Sequence, residues 1–157
     1  MGDTPTPLTA FQHALGIMAR WPGTVRIVQH RVADGTIDML SWTGELQPTV
    51  FSATYTLSFQ YADGDYTPDV QVLDPELDPG IARDLPHVYT DTGGLCLHLR
   101  NQWDPSQPIA TTIVPWAAEW LLHYELWKAT GEWTGGGHPH LEPVRPIDGR
   151  RIRRATA

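Results

Sequence analysis

Phe51-Ser52-Ala53-Thr54-Tyr55-Thr56-Leu57-Ser58-Phe59-Gln60-Tyr61 is the stretch that decides the fold. Apolar and polar residues alternate through it without a break. Phe51, Ala53, Tyr55, Leu57, Phe59 and Tyr61 fall on one side, and Ser52, Thr54, Thr56, Ser58 and Gln60 on the other. A period of two places successive side chains on opposite faces of an extended chain, so this stretch predicts a half-buried strand.

Working outward, Ala62-Asp63-Gly64-Asp65 is turn chemistry, and Asp69 to Leu73 predicts a short strand with Val70 and Val72 inward. On the N-terminal side, Thr24 to Val32 and Thr36 to Glu45 predict two more strands around an Asp34-Gly35 hairpin turn. Val25 and Ile27 share a face of the first. Asp38, Leu40 and Trp42 share a face of the second. Before them, Thr9 is a helix N-cap ahead of Phe11, Ala14, Leu15 and Met18, which form an apolar stripe, and Trp21-Pro22-Gly23 ends the helix.

Beyond the strands the periodicity is lost. From Asp74 to Gly94 the chain carries Pro75, Pro79, Gly80, Pro86, Gly93 and Gly94. Irregular segments of that length inside a domain are usually functional or disordered, and this one runs directly into Leu95-Cys96-Leu97. A second irregular stretch covers Asn101 to Pro108. A helix is then predicted from about Thr111 to Thr130, with Trp116, Trp120, Tyr124 and Trp127 on one face, Pro115 in its first turn and Gly131 as its stop. That stripe reads as core. The sum is an α+β domain: an N-terminal helix, a four-stranded antiparallel meander, a cysteine-bearing loop and a Trp-rich helix. Residues 1–137 are taken as the domain and 138–157 as a C-terminal tail.

Composition narrows the function. The 157 residues include seven Trp, and 41% are hydrophobic, enough for a core without metal or disulfide staples. The single cysteine excludes an internal disulfide and fits a reducing compartment. There is no basic-then-apolar leader and no run of roughly 18 apolar residues, so a cytoplasmic protein without a membrane partner is expected. Residues 1–144 hold 17 acids and 6 bases, a net of −11, which argues against nucleic acid as a partner. Arg145, Arg150, Arg151, Arg153 and Arg154 make the tail basic, as a solvated end. The acidic residues Asp63, Asp65, Asp69, Asp74, Glu76, Asp78 and Asp84 read as a solvated face. His138 and His140, with His98, are too few to predict a metal centre, and neither a metal nor a cofactor is expected.

The order His87-Val88-Tyr89, Gly94-Leu95-Cys96-Leu97, Gln102-Trp103-Asp104-Pro105, then a Trp-rich helix, resembles the ubiquitin-conjugating (UBC) fold. That family has His-Pro-Asn, then an apolar-Cys-Leu triplet, then Trp and Pro, then a helix, after a four-stranded meander. Trp42 falls where the family has a strand tryptophan. The likeness covers roughly residues 8–130. The runs Pro115-Trp116-Ala117-Ala118-Glu119-Trp120-Leu121, Tyr124-Glu125-Leu126-Trp127 and Thr130-Gly131-Glu132-Trp133-Thr134-Gly135-Gly136-Gly137-His138 are similar to bacterial members of this fold in CBASS anti-phage operons, beside cGAS/DncV-like nucleotidyltransferases (CD-NTases).

The resemblance implies a transferase that carries a partner's C-terminus as a thioester on Cys96. The implied donor is the CD-NTase, with an activating enzyme as a further candidate partner. It implies a structural role for His87 in holding the loop. Two departures stand out. Tyr89 takes the place of the family's Asn, which supports the oxyanion during amine attack, and the family's two C-terminal helices have no counterpart after Gly131.

From the residues themselves, a thioester carrier needs a reachable thiolate. The two glycines before Leu95 let another chain approach. His98, two residues from Cys96, shares its face in an extended chain and, with His87, is the candidate to raise its reactivity. Tyr89, Asn101 and Asp104 are candidate substrate contacts. Asn101 is a possible replacement oxyanion donor, and Asp104 orients a nucleophile or caps the turn before Pro105. Trp103 packs under the loop. Two other functions fit the same residues. One is a non-catalytic binding module in which Cys96 is a small buried hydrophobe. The other is a cysteine hydrolase with a Cys–His dyad, whose histidine would be oriented by a carboxylate or amide.

Overall fold

The computed structural model describes residues 2–78, 87–89 and 91–135. The order is α1 (Ala10–Arg20), β1 (Thr24–Val32), β2 (Gly35–Leu46), β3 (Tyr55–Ala62), β4 (Asp69–Asp74), a 3-10 turn (Ile109–Thr111) and α2 (Ile113–Thr130). The strands form one antiparallel sheet in the order β1-β2-β3-β4. The expected α+β meander between two helices is therefore present. The tail from 138 onward, with His138 and His140, and Asp84 of the acidic run lie outside the described residues.

The sheet register places Val25 opposite Trp42, Trp42 opposite Phe59 and Phe59 opposite Val70. That row crosses all four strands on one face, and the Trp42 and Phe59 ring centroids lie 4.8 Å apart. Trp42, Leu57 and Phe59 join Trp120, Leu121 and Trp127 of α2 in one buried cluster. The helix stripe read as core is core, with Trp116 at its half-buried margin. Gly131 stops α2 with φ 77°, and its N–H donates to the Trp127 carbonyl at 2.8 Å.

Two expectations about faces are corrected. The central strand starts at Tyr55, not Phe51, and Phe51 is 95% exposed. Thr49 and Ser52 capture the backbone first: Thr49 Oγ1 accepts from Phe51 N, and Ser52 Oγ accepts from Thr49 N. Local side-chain bonds of this kind compete with a strand ladder.

In α1 Thr9 is the N-cap as predicted, and the structure adds a capping box, with Gln12 N donating to Thr9 Oγ1 and Thr9 N to Gln12 Oε1. The buried face, however, is Ala10, His13, Ala14 and Ile17. Phe11, Leu15 and Met18 stay exposed. The small residues allow close approach to the 3-10 turn, and His13 Nδ1 accepts the N–H of Ile109 at 3.3 Å. Close packing outweighs the bulk of the other stripe.

The acidic run is also more than a solvated face. Asp63 Oδ1 accepts from Ala10 N at 2.6 Å and Asp65 Oδ2 from Ala62 N at 2.9 Å, so both brace turns.

Candidate functional site

The cysteine segment is bound to the free edge of the sheet. Leu95 N donates to the Val70 carbonyl of β4 at 2.9 Å. On its other side Leu95 bridges Val88, Tyr89 N donates to the Gly94 carbonyl at 2.8 Å, and Cys96 N donates to the His87 carbonyl at 2.8 Å. The tip needs its glycines. Gly93 has φ 73°, and a Cβ on Gly94 would come 2.8 Å from Asp69 Oδ1. Leu95 and Leu97 are each 3% exposed. In an extended segment the residue between them faces the opposite way, so Cys96 turns outward and is only half-buried.

Two groups act on the sulfur. The thiol points toward the His98 carbonyl at 3.9 Å, and the Tyr89 hydroxyl interacts with it electrostatically. Burial pushes the thiol pKa up from its ordinary value, and these two residues pull it back only in part. Tyr89 is pushed up to about 12, first by burial and then by its interaction with Cys96. Both groups are therefore protonated near neutrality. The thiolate that a carrier needs is therefore not the resting form of Cys96.

The histidines are placed differently from each other. The His98 imidazole is buried between Trp103 and Trp116, each about 6.0 Å away. Its Nδ1 lies 2.7 Å from the Leu99 carbonyl and its Nε2 2.6 Å from Thr67 Oγ1. Only a protonated Nδ1 can bond a carbonyl, which leaves Nε2 to accept from Thr67. Burial lowers its pKa, in keeping with that neutral form. With both nitrogens committed, His98 meets Cys96 through its main chain. A hydrolase dyad would need one of them at the sulfur, and the carboxylate or amide orienter of such a dyad is replaced here by Thr67 and a carbonyl.

His87 also meets Cys96 through its carbonyl, which accepts the Trp120 indole N–H at 3.2 Å as well. The ring of His87 packs 5.4 Å from Trp133. His87 holds φ 60°, a left-handed backbone uncommon outside glycine.

A cleft of about 380 Å³ is lined by Tyr66, Thr67, Tyr89, His98, Leu99 and Arg100; Cys96 is not among its lining residues, although His98, whose carbonyl faces the thiol, is. Four of these, Tyr66, Thr67, Leu99 and Arg100, were not singled out from sequence. Tyr66 and Thr67 sit between two strands at a turn, and only the fold brings that turn against the cysteine segment. The Tyr66 hydroxyl donates to the Arg100 carbonyl, and the Arg100 guanidinium lies over the Tyr66 ring at 5.4 Å.

Asn101 and Asp104 lie outside the residues lining the cleft. Asn101 is exposed in the turn closed by Gln102 N on the Leu99 carbonyl. Asp104 Oδ1 accepts from Ser106 N and Oγ, which hold its carboxyl below the usual range; it braces the turn at Pro105. Trp103 is buried, with its indole N–H on Thr112 Oγ1 at 3.0 Å.

Among the described residues no three His, Cys, Asp or Glu side chains cluster as a metal site, and no helix is long and apolar enough to cross a membrane. The chemistry on offer is that of one outward thiol, one hydroxyl interacting with it and an open cleft. A model of the type II CBASS E2 protein family matches residues 15–141 of the chain. No curated protein matches it.

Proposed function

Because the chain belongs to the type II CBASS E2 family, we propose that it is a conjugating enzyme that takes the C-terminus of a CD-NTase onto Cys96 as a thioester and so primes anti-phage signalling. The observation that carries the reading is the orientation of Cys96, half-exposed between two buried leucines.

The step balances only if the incoming carboxyl is already activated. The sulfur attacks the carbonyl carbon, the C–S bond forms, and the activating group departs with the bonding pair while the thiol proton is lost. A free carboxylate has no adequate leaving group, so an activating enzyme that presents an adenylate or a thioester is the second partner. The raised thiol pKa suits a carrier in one respect. A thiolate of higher pKa is intrinsically more nucleophilic and a poorer leaving group, so the acyl group is held more durably. Tyr89, His98 and His87 support the site as positioning residues: one hydroxyl acting on the sulfur and two carbonyls that fix its segment.

The test is co-expression with the operon's CD-NTase and the activating enzyme, and analysis under non-reducing conditions. A covalent complex is expected with Cys96, none with Cys96→Ala, and a more stable oxyester with Cys96→Ser. A complex and phage protection that both survive Cys96→Ala would refute the enzyme reading. The second reading, a non-catalytic binding module, draws on the raised thiol pKa; it predicts a non-covalent complex indifferent to Cys96→Ala.

A further inference from the structure

Arg100 stands out by its charge. Residues 1–144 carry 17 acids against 6 bases, and Arg100 is the only charged residue on the lining of the cleft. Among the described residues its guanidinium makes no ion pair. It lies over the Tyr66 ring at 5.4 Å. Stacking uses the face of the guanidinium and leaves its in-plane N–H donors for another partner, and that planar fork matches a carboxylate.

The cation is held in place before any ligand arrives. The Tyr66 hydroxyl donates to the Arg100 carbonyl. Just before it, Leu99 N donates to Gln102 Oε1 at 2.9 Å, and the Leu99 carbonyl takes the His98 ring N–H at 2.7 Å. Thr67 Oγ1 closes the other side of that ring at 2.6 Å. A group fixed in this way loses little entropy on binding. With both nitrogens bonded His98 is neutral, and Tyr66, Thr67, Tyr89 and Leu99 bring no charge to offset Arg100.

The cleft lies within reach of the reacting sulfur. His98 is part of its lining, and the His98 carbonyl faces the Cys96 thiol at 3.9 Å. Arg100 follows Cys96 by four residues, so their Cα atoms are at most about 14 Å apart. An extended acyl chain rises about 3.3 Å per residue, so residues two to four places before its last one span that distance. Once the thioester forms, the chain is tethered at the sulfur. A contact between its last residues and Arg100 is then intramolecular and needs little intrinsic affinity.

We propose that Arg100 is a specificity determinant for the acyl donor: it pairs with an acidic side chain two to four places before the donor's last residue, and so selects the C-terminus that Cys96 takes up. This rests on the acyl-carrier reading above and names the chemistry of the donor's tail. Tyr66, Tyr89 and Leu99 form the uncharged wall against which the residues beside that acid lie.

The test uses the full chain and synthetic seven-residue peptides, alanine throughout with glycine last, as C-terminal thioesters of a small neutral thiol. Glutamate or glutamine stands two, three or four places before the glycine. The Cys96 sulfur attacks the terminal carbonyl and its C–S bond forms. The old C–S bond breaks, and the small thiol departs with the bonding pair and takes up the proton that Cys96 gives up. Each glutamate peptide competes with its glutamine twin in one sample, and N-terminal caps of different mass distinguish the two adducts.

At low salt the glutamate adduct should exceed its twin at least about fivefold at one of the three positions, the scale of a partly solvated charge-assisted hydrogen bond. The ratio should fall to about one in Arg100→Gln, as the pairing is lost. In Arg100→Glu an arginine peptide should be preferred over the glutamate peptide, a reversal that an unfolded chain cannot produce. Equal loading by the native chain at all three positions, a preference that survives Arg100→Gln, or no reversal in Arg100→Glu overturns the proposal. Each of these leaves the carrier reading standing, since Cys96 has then been acylated. A native chain that no peptide acylates beyond the Cys96→Ala blank overturns both.

Discussion

The Leu95 amide donates to the Val70 carbonyl at 2.9 Å, so the cysteine segment continues the sheet beyond β4 by one rung. Cys96 thereby inherits the sheet's alternation: its neighbours Leu95 and Leu97 point into the core, and the thiol is turned out. Orientation of the thiol is a consequence of strand geometry rather than of a dedicated loop conformation.

That rung depends on Gly94. An added Cβ would meet Asp69 Oδ1 at 2.8 Å, Thr92 Oγ1 at 3.2 Å and Gln71 Nε2 at 3.3 Å. Gly94→Ala should therefore push the segment from β4 and destabilise the fold by about 1–2 kcal/mol, the usual scale of local overpacking. Amide hydrogen exchange at Leu95 and Cys96 should accelerate well beyond that at core positions of β3. Unchanged protection at both amides would contradict the single-rung description.

The thiol's raised pKa has a pH signature. Iodoacetamide should react with native Cys96 more slowly than with the urea-unfolded chain at pH 8, because less thiolate is present. As pH rises the native rate should go on climbing after the unfolded rate has levelled off, and approach it, since the sulfur is half-exposed. A native rate that stays low at every pH would mean a sealed thiol.

Two buried imidazoles couple folding to pH. Burial lowers the pKa of both His13 and His98, against the weaker opposing pull of the Pro105 carbonyl and Asp63 on His13 and of the Leu99 carbonyl on His98. Their folded pKa values lie below the unfolded value near 6.5, so above that pH both states are neutral and nothing is lost. Below it the unfolded chain binds the protons first, and stability declines by at most about 1.4 kcal/mol per pH unit for each histidine. His13→Gln should flatten the slope of urea-unfolding free energy between pH 6.5 and 5. An unaltered slope would remove His13 from the account of acid sensitivity.

The sequence was most informative where one period ruled. The alternation through Tyr55, Leu57, Phe59 and Tyr61, the Trp120–Tyr124–Trp127 stripe, the Thr9 cap and the Gly131 stop all appear as read. It misled at Phe51, where Thr49 and Ser52 seize the backbone, and on α1, where two stripes compete and the alanine-rich one packs closer. The cysteine stood out in the sequence because it is alone and flanked by leucines. The cleft did not, because Tyr66 and Thr67 approach it only through the β3–β4 hairpin, and no local pattern marks that meeting. Nor could spacing alone tell that His98 would offer Cys96 its carbonyl while its ring turned to Thr67.

Intact-mass measurement of the chain co-expressed with the operon's CD-NTase and activating enzyme bears most directly on the Cys96 thioester. An adduct equal to the two chains less one water, dispersed by neutral hydroxylamine and missing in Cys96→Ala, is the predicted result. An adduct that resists hydroxylamine or persists without the cysteine would contradict it.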